Sequence, residues 1–324
     1  MVRCLYRIVA LLFLFFFSKL KLPKVSDDAY SFYSLHFMLE FTPLEHPVQN
    51  TLAKRPAWWQ WPMILSLDAP LVAIAWQHLL AQVAHTPLRP HHILLLFAAT
   101  WLVYAADRWT EGFDIAPAAV STQRHRFYQQ HPRAIAIAIL LIATAALALA
   151  IKTLTPTEWR WSLALAALVA AYLILGPLLR KLASLHIPKE IVIAILFALG
   201  TACMPLALAH HTRHTLIAPI AWFAALCLVN LALISLWERE ADIAHRVTSV
   251  AQIHPALNRA IRLAPWALLL AATATAIIAH PTTNRAPLIC TATSALLMGI
   301  LDLAEPTLGR QPARVLSSPL AILL

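Results

Sequence analysis

Apolar runs of 17–22 residues recur along most of this chain, separated by short polar loops. Runs of that length cross a bilayer only as α-helices, because hydrocarbon offers backbone N–H and C=O groups no partner. The expected fold is therefore all-α, a polytopic bundle of transmembrane helices. Eight spans are expected: Met63–Ala84, Ile93–Trp109, Ala134–Ile151, Trp161–Leu179, Ile191–Ala209, Leu216–Trp237, Leu263–Ala279 and Pro287–Leu303. The apolar tail Val315–Leu324 is too short to span and would add at most a ninth, stub-like helix. Tryptophans at 58, 59, 61, 159 and 161 mark membrane interfaces, where an apolar ring with a polar edge is most comfortable.

Composition agrees with this class: 60% of residues are hydrophobic and only 12% are charged. The net charge of +10 does not signal nucleic-acid binding, since no basic stripe is interleaved with exposed aromatics. It reads instead as topogenic. Loops after the second, fourth and sixth spans, with their helix ends, carry eleven Lys or Arg against five on the other side, which sets the former side in the cytoplasm. Cys4, Cys203, Cys227 and Cys290 have no paired spacing and read as small apolar residues. The histidines, His91-His92 and the His210-His211-His214 group included, read as residues of wet interfacial loops.

Residues 1–57 form a separate N-terminal segment, and 58–324 the transmembrane domain. The opening MVRCLYRIVALLFLFFFSKLK has basic flanks around an apolar core too short to span. It is either a signal-like segment or a mistaken extension upstream of a true start at Met38.

Two acidic pairs interrupt the apolar pattern at matching places. Asp107 and Glu111 close the second span, and Glu238 and Asp242 follow the sixth. Each pair is spaced by four residues and so shares one helical face. Ionisable groups at the ends of membrane helices are costly, and a repeated arrangement points to function. Four carboxylates at one membrane surface suit Mg²⁺, which keeps several waters and takes one or two carboxylates together with substrate phosphate oxygens. Arg180, Lys181 and Lys189, on the same side, suit a diphosphate. Asn230 lies about two turns before the second pair. The equivalent position of the pairs in each half suggests an internal four-helix repeat.

From about Leu65 to the last span the chain resembles the UbiA superfamily of intramembrane aromatic prenyltransferases. Leu67-Asp68-Ala69-Pro70 resembles the Leu-Asp-Lys-Pro that opens the family's first helix. Residues 176–205 resemble its loop between the fourth and fifth helices, at Pro177, Arg180, Lys181, Pro188, Phe197, Gly200 and Met204. The resemblance implies Mg²⁺-dependent transfer of an isoprenoid group from a prenyl diphosphate to an aromatic or other lipophilic acceptor. It also implies that Asp107, Glu111, Glu238 and Asp242 are catalytic metal ligands. Asp68, Tyr104 and Asn230 would orient substrate. The family's first motif, Asn-Asp-x-x-Asp-x-x-x-Asp, falls on Val103, Tyr104, Asp107 and Glu111, so its leading Asn-Asp is replaced. An upstream Asp of the second motif is replaced by Ser235.

Three functional readings follow. The first is a prenyltransferase of the bacterial inner membrane with its acids facing the cytoplasm. The second is a non-catalytic relative that binds an isoprenoid lipid or a protein partner, favoured by the Val103-Tyr104 replacement. A transporter is the third, disfavoured because the acids lie at helix ends rather than near the midplane. The segment Thr122–Tyr128, with Arg124 and Arg126, is expected either to close over the diphosphate or to contact anionic headgroups.

Overall fold

A computed structural model describes residues 58–114, 123–182, 189–237, 257–280 and 284–308, all of which belong to one compact unit, Asn50–Leu324. Every regular element among the described residues is helical. After a 3₁₀ turn at Trp58–Gln60 come α1 (Trp61–Ile64), α2 (Asp68–Val83), α3 (Pro90–Asp114), α4 (Gln123–Gln130) and α5 (Pro132–Thr153). Then follow α6 (Pro156–Leu182), α7 (Lys189–Leu208), α8 (Ile217–Trp237), α9 (Asn258–Ile278) and α10 (Ala286–Leu308).

Among the described residues, five helices are long and apolar enough to cross a membrane: α5, α7, α8 with the turn before it, α9 and α10. Their surfaces support that placement. Ile137, Leu140, Leu141 and Ile151 of α5 are exposed, as are Leu263, Leu270, Ile277 and Ile278 of α9. Apolar faces of this extent are stable against lipid, not water. The other three expected spans coincide with α2, α3 and α6, which are helical but are not among the five.

The first expected span needs correction. The helix does not run from Met63; it breaks at Leu65–Leu67 and restarts at Asp68. Ser66 adopts φ 56°, a left-handed conformation that costs a non-glycine residue energy. Two contacts hold the break in place. The Trp101 indole N–H donates to the Leu65 carbonyl at 3.0 Å, and the Ser66 and Tyr128 hydroxyls are 3.1 Å apart. At its other end α2 stops in a Schellman turn with His85 at φ 53°, where Thr86 N–H reaches the Ala81 carbonyl and His85 N–H that of Gln82.

The main core joins α2, α7, α8, α9 and α10. Trp76 stacks on Phe223 at 4.3 Å, and Leu233, Trp237, Met298 and Leu301 extend the cluster. Close packing of α9 on α10 depends on Gly299: a Cβ there would sit 2.8 Å from the Trp266 ring. A second cluster, around Trp101, Ala105, Tyr128 and Ile135, fastens α4 and α5 to α3.

Contacts between helix termini sort the ends of the bundle. Tyr104 near the end of α3 meets Phe197 in the first half of α7, and Trp237 at the end of α8 meets Asp302 of α10. At the other end, Thr212 after α7 donates to the Ala84 carbonyl after α2, and the first turns of α3 and α6 touch through His92 and Glu158. One end thus collects the starts of α2, α7 and α9 with the finishes of α3, α8 and α10. It is called the acidic end below.

Candidate functional site

Asp107 and Glu111 lie in the continuous helix α3, which runs on to Asp114, so their backbones are one turn apart as the spacing predicts. The Asp107 carboxylate is 58% exposed and stands 3.8 Å from the guanidinium of its neighbour Arg108. An ion pair that long and that wet contributes little to stability. The carboxylate is therefore held largely at the surface.

Tyr104, one turn earlier, packs edge-on against Phe197 of α7. Its hydroxyl lies within electrostatic reach of Asp68 and Cys227, and of Arg108 and Asp107. Three residues singled out from sequence therefore lie toward the acidic end: Asp68 at the first position of α2, and Tyr104 and Asp107 one turn apart on α3. Val103 is exposed. Lys189 is the first residue of α7 and half-buried. Asn230 lies on α8, one turn past Cys227, and its buried Oδ1 has no partner among the described residues.

Several expected residues are described only in part or not at all. Glu111, Arg180 and Lys181 have helical backbones, with side chains outside the described residues. Glu238 and Asp242 lie outside them altogether, directly after the last residue of α8. In the segment proposed as a lid or headgroup contact, Tyr128 is buried on Ser66 and Arg124 is buried too, leaving Arg126 exposed. That segment is the helix α4, docked on α3.

One residue escaped the sequence reading. Asp302, 4% exposed in α10, accepts from Trp237 Nε1 at 3.0 Å and from Arg262 Nη1 at 2.8 Å, both on Oδ1. A single aspartate in an otherwise apolar run was the available signal, because an ionisable group inside a membrane helix demands a partner. Three further buried groups lack partners among the described residues: both amide atoms of the fully buried Gln77, the Thr201 hydroxyl and the Ser294 hydroxyl. Buried polar atoms without hydrogen bonds are uncommon and mark places where another molecule can bind.

The opposite end corrects the reading of the histidines as loop residues. His92 is buried in the first turn of α3. Arg89 N–H donates to its Nδ1 at 3.2 Å, so the third residue of the helix caps the residue before it. The sequence Thr155-Pro-Thr-Glu158 forms the same device on α6: Thr155 N–H donates to Glu158 Oε2 at 2.7 Å, and Glu158 N–H to Thr155 Oγ1 at 3.4 Å. The two capping residues then bond each other, His92 Nε2 to Glu158 Oε1 at 3.0 Å.

The hydrogen bonds fix the tautomer. His92 Nδ1 is an acceptor, so its proton sits on Nε2 and is donated to Glu158. Burial, followed by the nearby His91, holds the imidazole below its ordinary 6.5 and outweighs the attraction of Glu158. Burial pushes Glu158 up, but hydrogen bonds from Thr155 and the contact with His92 more than offset it and leave the carboxyl below its ordinary 4.5. Two helix N-termini side by side act in the same sense, favouring the anion and opposing an imidazolium. His91, His92 and Glu158 have the ligand types of a zinc site, with ligand atoms within 4.8 Å of one another. Both His92 nitrogens are nevertheless engaged, and the trio acts as a clasp between α3 and α6.

Comparison with protein-family models, with curated proteins and with solved structures found no match to this chain.

Proposed function

We propose that this protein is a polytopic membrane prenyltransferase of the UbiA type, with eight spans and its acidic end in the cytoplasm of a bacterial cell. The observation that carries the reading is the gathering of Asp68, Tyr104 and Asp107 at the end of the bundle where α7 begins with Lys189 and α8 leads into Glu238. The substrate would be a prenyl diphosphate, and its product an isoprenoid joined to an aromatic or other lipophilic acceptor.

The donor set suits Mg²⁺: Asp107 offers a carboxylate at the surface, Glu111 follows one turn on, and hard oxygen ligands are what the ion requires. Tyr104 does not add to that set, since a phenol is protonated at neutral pH. Bound by Asp107, Glu111, Glu238 and Asp242, Mg²⁺ would neutralise charge on the departing diphosphate. Arg180, Lys181 and Lys189 would hold the same group by charge-assisted hydrogen bonds. Asp68 and Tyr104 would fix its position, and the unpartnered amide oxygen of Asn230 and the amide of Gln77 would orient the acceptor. The apolar helices would keep water from the allylic cation until the acceptor captures it.

A second reading, an isoprenoid-binding protein without turnover, is favoured by the Tyr104 ring resting on Phe197 where the family carries a carboxylate. Binding of geranylgeranyl diphosphate to purified protein, with and without Mg²⁺, tests the proposal. Mg²⁺-dependent binding lost in the Glu238→Gln, Asp242→Asn double variant is expected, with diphosphate released once an acceptor is supplied. Binding without release supports the second reading. No binding at any chain length removes both.

A further inference from the structure

The Asp302–Arg262–Trp237 cluster joins three helices at the acidic end and has no part in the mechanism above. Asp302 lies about 9 Å, or six residues, from the end of α10. Its Oδ1 takes hydrogen bonds from Trp237, the last residue of α8, and from Arg262, in the second turn of α9. The aspartate is 4% exposed and the arginine 46% exposed. The pair is thus asymmetric: a buried anion holds one nitrogen of a guanidinium that is nearly half exposed.

Arginine carries five N–H donors in a rigid fork, and Asp302 engages one nitrogen of it. The register is enforced one turn away, where Trp266 closes on Gly299 on the same pair of helices. Asp302 follows Gly299 by three residues and Arg262 precedes Trp266 by four, so both couples lie along the same seam. Trp237, held by the same carboxylate oxygen, is the residue immediately before Glu238.

We infer that Arg262, held by Asp302, is an anion-binding residue that takes the phosphate oxygens of the isoprenoid diphosphate at the acidic end of the bundle. The inference rests on the prenyl diphosphate reading for the identity of the ligand, but the phosphate chemistry stands without it. Asp302 is a positioning residue: it holds one guanidinium edge so that the other edge meets the anion in a set orientation.

Calorimetric titration of the purified full chain with inorganic pyrophosphate and with geranylgeranyl diphosphate tests it, alongside the melting temperature of each variant. Asp302→Asn gives the decisive sign. Coulomb attraction alone predicts tighter pyrophosphate binding once a negative charge is removed, whereas positioning predicts weaker binding, by about threefold to tenfold for a misaligned charge-assisted hydrogen bond. The neutral double variant Arg262→Gln, Asp302→Asn preserves size and hydrogen bonding and is expected to lose at least about tenfold for both ligands. Should Asp302→Asn not fold, Arg262→Lys keeps the ion pair but loses the fork, and weaker binding is again expected.

Asp302→Asn binding pyrophosphate as tightly as wild type, or more tightly, overturns the inference. So does a folded double variant with wild-type affinity. Wild type that binds geranylgeranyl diphosphate independently of Arg262 leaves the prenyl reading standing and removes this one. Pyrophosphate binding that needs Arg262, without binding of the prenyl ligand, does the reverse. Binding of neither ligand removes both.

Discussion

The two ends of the bundle treat their charges in opposite ways. At one end His92 and Glu158 are buried, each caps its own helix, and they share a 3.0 Å hydrogen bond. At the other, Asp107 is 58% exposed with a 3.8 Å neighbour, and Arg262 is 46% exposed above a buried aspartate. A charge whose hydrogen bonds are all supplied from within is part of the scaffold. A charge left largely exposed is within a ligand's reach. By that criterion the clasp holds α3 and α6 in place, and the proposed chemistry is assigned to the acidic end.

The sharpest way to break the contrast is to remove Glu158. Glu158→Ala strands the His92 Nε2–H in a buried site and removes the acceptor of the part-buried Thr155 N–H, and should cost about 1–3 kcal/mol. Thermal unfolding in detergent should show a clear drop, with prenyl diphosphate affinity unchanged in the protein that remains folded. Gly299→Ala comes next. The added methyl meets the Trp266 ring at 2.8 Å, and overpacking of this kind costs about 1–3 kcal/mol. Here the loss should reach the acidic end, because the same seam aligns Arg262 with Asp302, so pyrophosphate affinity should fall along with stability.

A pH titration separates the ends more gently. The folded pKa of His92 lies below 6.5, so between the two values the unfolded chain binds more protons than the folded one. Its contribution to stability is therefore complete above 6.5 and shrinks as pH falls through that value toward the folded pKa. Glu158, also lowered, keeps its contribution above 4.5 and loses it as pH falls through its folded value. Melting temperatures at pH 7.5 and 5.5 should differ more in wild type than in His92→Gln. Equal differences would show that His92 does not carry the dependence. The smallest expected effect on stability is that of Asp107→Asn, within about 0.5 kcal/mol. The same variant should nonetheless lose most Mg²⁺-dependent binding.

The helices themselves were legible, since a bilayer leaves an apolar run little choice but to coil. Seven of the eight expected spans coincide with single helices, and α3, α5, α6 and α10 run further than the apolar run at both ends, because polar residues such as the caps Arg89 and Thr155 lie outside the hydrophobic window. The eighth, the first in the chain, failed at Ser66: Met63–Leu67 is apolar enough to continue a helix, and only the distant Trp101 and Tyr128 hold the break open. Thr155-Pro-Thr-Glu158 carried a readable capping signature, but its pairing with His92 joins residues 66 apart and left no local trace. The acidic pair on α3 was visible because spacing is a sequence property. Asp302 was visible only as an isolated cost, and its partners come from two other helices.

The most direct test sets the two ends against each other in one experiment: geranylgeranyl diphosphate affinity in Mg²⁺ and melting temperature, measured on Asp107→Asn with Glu238→Gln and on His92→Gln with Glu158→Gln. The account predicts a crossed result, in which the acidic-end double variant loses binding at an unchanged melting temperature and the clasp double variant melts early with binding intact. Binding that survives in the first, or disappears in the second while it is still folded, would contradict it.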